Sequence, residues 1–236
     1  MGLGREPGHW QLQQCAAKLA VHQGQPAKAR DQLQAICQQD PNRYGIWMDL
    51  GVACCRLGDL GAALQAFERA QNLNPASLAA QANRITVLKD LGQFDQCEAL
   101  LNALSGEQRQ DKRLRAAEAA LRMQAQQMEE AVALFEPLCR EDPLEPLHWL
   151  NLAACLKALK HVVAPYRALK KGLSLHPKHR ELTHALGQSY AEMGMADLAL
   201  PLLRESAGEP EQMADAHLFT LQFLGGGYHL LGAQER

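Results

Sequence analysis

The chain has 236 residues, of which 47 % are apolar, 5 % aromatic and 21 % charged, with a formal net charge of −2. That profile suits soluble helices packed through Ala and Leu rather than a sheet. It argues against a nucleic-acid binder, and no apolar run approaches the roughly 20 residues that a bilayer span needs.

The opening residues MGLGREPGHW hold no apolar stretch of the signal-peptide kind, and Glu6 stands where myristoylation needs Ser or Thr. Residues 1–9 therefore read as a tail. Six units of one length follow. The first, 10–43, places Ala16, Ala17 and Ala20 on one helix face, turns at Gly24-Gln25-Pro26, and returns through Ala29, Leu33 and Ile36 to Pro41. The second, 44–77, carries Trp47, Leu50, Gly51 and Cys54 on a first helix. Gly58-Asp59 forms its turn, Ala63, Phe67 and Ala70 lie on a second helix, and Pro75 ends it. The third, 78–111, is degenerate: Gln81, Arg84 and Ile85 replace the strong markers, and Ser105-Gly106 ends its second helix early. A longer connection is expected across 105–111.

The fourth unit, 112–145, has an Arg- and Ala-rich first helix and a clear second one with Ala131, Phe135, Leu138 and Pro143. The fifth, 146–179, restores Trp149, Leu152, Ala153 and Pro177, with Pro165 in the tolerant first turn of its second helix. The sixth, 180–213, carries Leu186, Gly187, Tyr190, Gly194 and Ala199. Pro137 and Pro201 fall deeper in second helices, where each removes a backbone hydrogen bond. Residues 214–236 read as a terminal capping helix, a break at Gly225-Gly226-Gly227 and a short tail. Pro41, Pro75, Pro143 and Pro177 are spaced by 34, 68 and 34 residues, the mark of stacked repeats.

The order and gaps of Trp47, Leu50, Gly51, Cys54, Ala63, Phe67 and Pro75 match W-x2-L-G-x2-Y…A-x3-F…P, with Cys54 in the tyrosine slot. In these residues the chain resembles the tetratricopeptide repeat (TPR) family. The resemblance implies an all-α, right-handed superhelical solenoid of helix-turn-helix repeats that binds an extended peptide or a partner helix along its first helices. It implies a protein–protein scaffold or adaptor, not an enzyme, with no cofactor and no nucleic-acid or membrane partner.

The position two residues after the Trp47 slot is left free by packing. It reads Cys15, Asp49, Asn83, Ala117, Asn151 and Ala185 along the array. An amide there can bond both C=O and N–H of an extended backbone. TPR arms of O-linked N-acetylglucosamine transferases carry such an asparagine ladder, which this chain keeps at Asn83 and Asn151. The alternative is that the two amides cap or bridge neighbouring helices. Lys18, Lys89, Arg113, Lys157 and Gln188 are further groove candidates, and their mixture does not reproduce the carboxylate clamp of chaperone-binding TPR proteins. The segment ADAHLFTLQFL, residues 214–224, is similar to the piece that joins such an arm to its transferase domain. A second reading follows from that similarity: a non-catalytic substrate-recognition arm whose chemistry lies elsewhere.

No phosphate-binding loop, dinucleotide fingerprint, zincin helix or nucleophile elbow occurs. His176, His179 and His184, with Arg167, Lys170, Lys171 and Lys178, make a locally basic stretch that reads as solvated surface. Glu129, Glu130, Glu136 and Glu141 make a locally acidic one. The seven cysteines are odd in number, lack C-x-x-C spacing and fall on predicted helices, so they read as reduced core thiols of a cytoplasmic protein rather than as disulfides or metal ligands.

Overall fold

The computed structural model describes residues 9–207. The expected N-terminal tail, the capping helix and the 214–224 segment lie wholly or largely outside that range. Among the described residues the chain forms twelve α-helices, one 3₁₀ turn (Gln108–Gln110) and no strand. It is an all-α helical-repeat fold.

The residues divide into two compact units between Leu121 and Arg122. In the first unit lie α1 (His9–His22), α2 (Pro26–Gln39), α3 (Tyr44–Arg56), α4 (Leu60–Leu73), α5 (Leu78–Asp90) and α6 (Phe94–Asn102). The division falls inside α7 (Lys112–Gln124). The second unit holds α8 (Met128–Glu141), α9 (Pro146–Ala158), α10 (Ala164–Leu175), α11 (Arg180–Glu192) and α12 (Ala196–Ala207). Within each unit a helix packs on the next one in the chain. First helices also meet first helices, α1 on α3 and α9 on α11.

Each hairpin is started and stopped by local chemistry. Asp59 accepts a hydrogen bond from the Ala62 N–H at 3.1 Å, and Ser77 accepts one from the Ala80 N–H at 3.1 Å, so both cap helix N-termini. Pro26, Pro146 and Pro165 sit in first turns, where their missing N–H costs nothing. Helix α6 is only nine residues long, and the 3₁₀ turn fills the long connection after it. Pro137 and Pro201 both lie inside helices, α8 and α12.

The reversals obey a stricter period than the prolines. Gly24, Gly58, Gly92 and Gly194 have φ between +73° and +75°, and the two positions that complete the 34-residue series, Gln126 and Lys160, have φ of 63° and 61°. A left-handed residue just past a helix end lets the chain turn at once. Glycine adopts it freely, and an L side chain does so at a cost of about 1–2 kcal/mol.

Packing between helices relies on small residues. A Cβ placed on Gly51 would lie 2.4 Å from Cε1 of Phe67, and one on Gly187 would lie 2.9 Å from Cγ of Leu203. Phe67 is 1 % exposed and has no room to retreat. The repeat junctions have their own tie: the Trp47 indole donates to the Pro41 carbonyl at 2.8 Å, and the Trp149 indole to the Pro143 carbonyl at 3.0 Å. At these two junctions the proline that follows a second helix thus anchors the next first helix through a buried or half-buried ring.

Two stability outcomes follow. Gln126→Gly and Lys160→Gly should each raise stability by up to about 1 kcal/mol, read as a higher melting temperature by circular dichroism. Gly51→Ala should lower it by about 1–3 kcal/mol through overpacking against Phe67, and a melting temperature unchanged from wild type would refute this account of the α3–α4 contact.

Candidate functional site

In the first unit the free-slot residue Asp49 projects from α3 towards α1. Its carboxylate accepts from Gln14 Nε2 at 2.5 Å and pairs with Lys18 Nζ at 3.3 Å. Beside it, Lys18, His22, Val52 and Arg56 border a pocket of about 390 Å³ between α1 and α3, with Leu33 at its base. The mouth is cationic and holds one carboxylate, already engaged.

Asn83 lies at the matching position of α5, and Asn151 at that of α9 in the second unit; both are half-buried. Among the described residues neither amide has a hydrogen-bond partner, unlike Asp49. The alternative reading of these two side chains, as caps or bridges between helices, has no hydrogen bond in support. Lys89, further along α5, pairs with its neighbour Asp90 at 2.7 Å. Arg113 turns back on Asp111 with contacts of 3.1 Å and 2.8 Å. That guanidinium holds the Asp111 carboxyl below its ordinary value. Lys157 of α9 pairs with Glu192 of α11.

The proposed groove residues therefore split into two kinds. Asp49, Lys89, Arg113 and Lys157 are engaged within the chain; Asn83 and Asn151 keep their polar capacity free. Asp49 and Lys157 hold neighbouring first helices together, and partners about one repeat away in sequence make that possible. The sequence contained this signal, since Gln14 and Asp49, like Lys157 and Glu192, are 35 residues apart.

Other candidate residues serve the structure. His179 accepts the Leu182 N–H on Nδ1 at 3.3 Å and so caps α11. His184 faces Ser206 Oγ at 3.2 Å, and burial, with the nearby Arg180 charge, holds its pKa below the ordinary histidine value. Arg167, Lys170 and Lys171 line the exposed side of α10, and none has a salt bridge among the described residues. Cys37, Cys54, Cys97, Cys139 and Cys155 are buried. Burial pushes the Cys37 and Cys55 thiols up to about 11 and the Cys139 thiol to about 12. Cys15, in the free slot of α1, is exposed.

The hairpin geometry defines a helical-repeat protein. Two tetratricopeptide repeat models match the sequence, over residues 16–77 and 56–121. No curated protein matches it in sequence. Several solved structures share the fold. A chain of the APC/C hetero-tetramer Cut9–Hcn1 is 20 % identical, with a TM-score of 0.72 over 90 % of this chain and 43 % of that one. The human IFIT1 dimer with PPP-AAAA gives 17 % identity and a TM-score of 0.71 over 85 % and 50 %. PilW, a type IV pilus biogenesis factor, gives 15 % and 0.66 over 83 % and 91 %. The chain spans half or less of the length of the first two. At such identities the likeness is one of fold alone. The repeat models and the fold agree: residues 16–121 carry tetratricopeptide repeats, and helical hairpins of the same kind continue through the described residues.

Thiol reactivity checks the burial pattern. Under native conditions a thiol reagent followed by mass spectrometry should label Cys15 first, and Cys97, Cys139 and Cys155 only on unfolding.

Proposed function

We propose that this chain is a non-catalytic scaffold that holds extended peptide segments of partner proteins on the faces of its first helices. The observation that carries the reading is the pair of half-buried, unpartnered amides, Asn83 and Asn151, at one repeat position. Among the described residues neither amide makes an internal bond and both reach solvent, so they stay open to a ligand, and an amide matches both polar groups of a peptide backbone. Such contacts grip backbone and leave sequence to the neighbouring pocket. In the first unit that pocket, with Arg56 exposed at its rim and Lys18 already paired with Asp49, favours a segment carrying a carboxylate.

A protein ligand fits this chemistry better than a nucleic acid. Phosphate backbones are held by many unpaired cations in a row, whereas the cations nearest the slot, Lys18 and Lys157, are paired. No described helix is long and apolar enough to cross a membrane. The transferase-arm reading depends on residues 214–224, which lie outside the described residues.

The test uses partners captured by the wild-type chain and quantified by mass spectrometry, followed by affinity measurement on each. Asn83→Ala and Asn151→Ala should each weaken a partner bound at that unit by about 1 kcal/mol, roughly fivefold, with the melting temperature unchanged. A fall in melting temperature with affinity intact would show that the amides serve the fold instead.

A further inference from the structure

On the first unit, a second concavity lies between the second helices α2 and α4, with α3 as its floor. It has a volume of about 710 Å³; Cys37, Trp47, Leu50, Cys54 and Ala66 supply the apolar part, and Arg30 and Arg69 are among the polar groups that border it. Asp59 also borders it, but that carboxylate is committed to capping α4.

The chain's own repeat indicates what belongs in this space. Four periods after Cys54 stands Tyr190, and four periods after Arg30 stands Tyr166. In the second unit these two rings meet edge to face with centroids 5.4 Å apart and hydroxyls at 3.3 Å. In the three intervening units the same slot holds Leu88, Arg122 and Leu156, of which the two leucines are buried. At Cys54 a thiol stands where the repeat pattern has a tyrosine and the sixth unit has Tyr190, and Arg30 leans onto Asp31 of its own helix, with contacts of 3.0 Å and 2.9 Å. The groove between α2 and α4 is thus left short of one aromatic side chain. Its rim is cationic: Arg69 is exposed and has no salt bridge among the described residues.

We propose that this groove is a second binding site, for a segment of a partner protein that presents an aromatic side chain beside a carboxylate. The ring fills the vacant tyrosine slot against Cys54, Leu50 and Trp47, and the carboxylate meets Arg69. A desolvated aromatic anchor supplies affinity, and the charge at the rim selects the flanking residue. The site lies among the second helices and does not include Asp49 or Asn83.

The probes are two peptides of equal charge, acetyl-Glu-Tyr-Asp-Glu-amide and acetyl-Glu-Ala-Asp-Glu-amide, titrated into the full ¹⁵N-labelled chain. The reporter is the indole N–H of Trp47, one of three tryptophans in the sequence. The tyrosine peptide should move it saturably and leave Trp149 unmoved, and the alanine peptide should not move it. Cys54→Tyr, which fills the slot from within, should abolish the response while the chain stays folded. If that variant fails to fold, Cys54→Leu, the residue type found at Leu88 and Leu156, takes its place. Arg69→Glu should weaken binding roughly tenfold, and Asn83→Ala should leave it intact. Equal responses to the two peptides, a silent Trp47 at millimolar peptide, an undiminished response in the slot-filled variant or a loss in Asn83→Ala would each overturn the proposal.

Discussion

A helix that must stop and reverse within three residues needs one residue in the left-handed region, and this chain supplies one every 34 residues from Gly24 to Gly194. Everything else in each hairpin depends on that reversal. It sets the second helix antiparallel and close, so that Gly51 can lie under Phe67 and Gly187 under Leu203. Close approach lets Ala, Leu and Cys fill most of the core around a few aromatic rings such as Phe67 and Phe135. That is how a chain with 5 % aromatic residues buries its helices.

The framework was largely legible from residues whose role is local. Gly58-Asp59 announces a turn and a cap because backbone freedom and a short carboxylate suit nothing else there, and Asp59 caps α4. Ser105-Gly106 announces a break, and α6 stops at Asn102. The left-handed turns at Gln126 and Lys160 escaped because neither residue type advertises positive φ. Only the period of the four glycines points to them.

The candidate site was harder to read, for a physical reason. Residue types at a free slot show what a side chain can bond, not whether it is already bonded. Asp49 and Asn83 look equivalent in sequence, yet Asp49 is held by Gln14 and Lys18 while Asn83 is not. The difference depends on reach across adjacent first helices. It rests on residues roughly one repeat away whose charge matters only after the helices have packed. The Trp47 and Trp149 indoles behave in the opposite way. Their carbonyl partners, Pro41 and Pro143, are fixed by the repeat itself, so one motif gives one bond in both units.

The turns also set an order of events on unfolding. A repeat array behaves as a one-dimensional chain of neighbours, each with its own free energy. The first unit has glycine at all three of its reversals, Gly24, Gly58 and Gly92. The second has Gln126 and Lys160 at two of its three. Conformational strain is therefore lodged at either end of the α8–α9 hairpin and spared at the first unit's reversals. Thermal fraying, hydrogen exchange and proteolytic nicking would be seeded around α8 and α9 while α1 to α4 still hold. Such a gradient along the sequence would make partial unfolding directional rather than uniform.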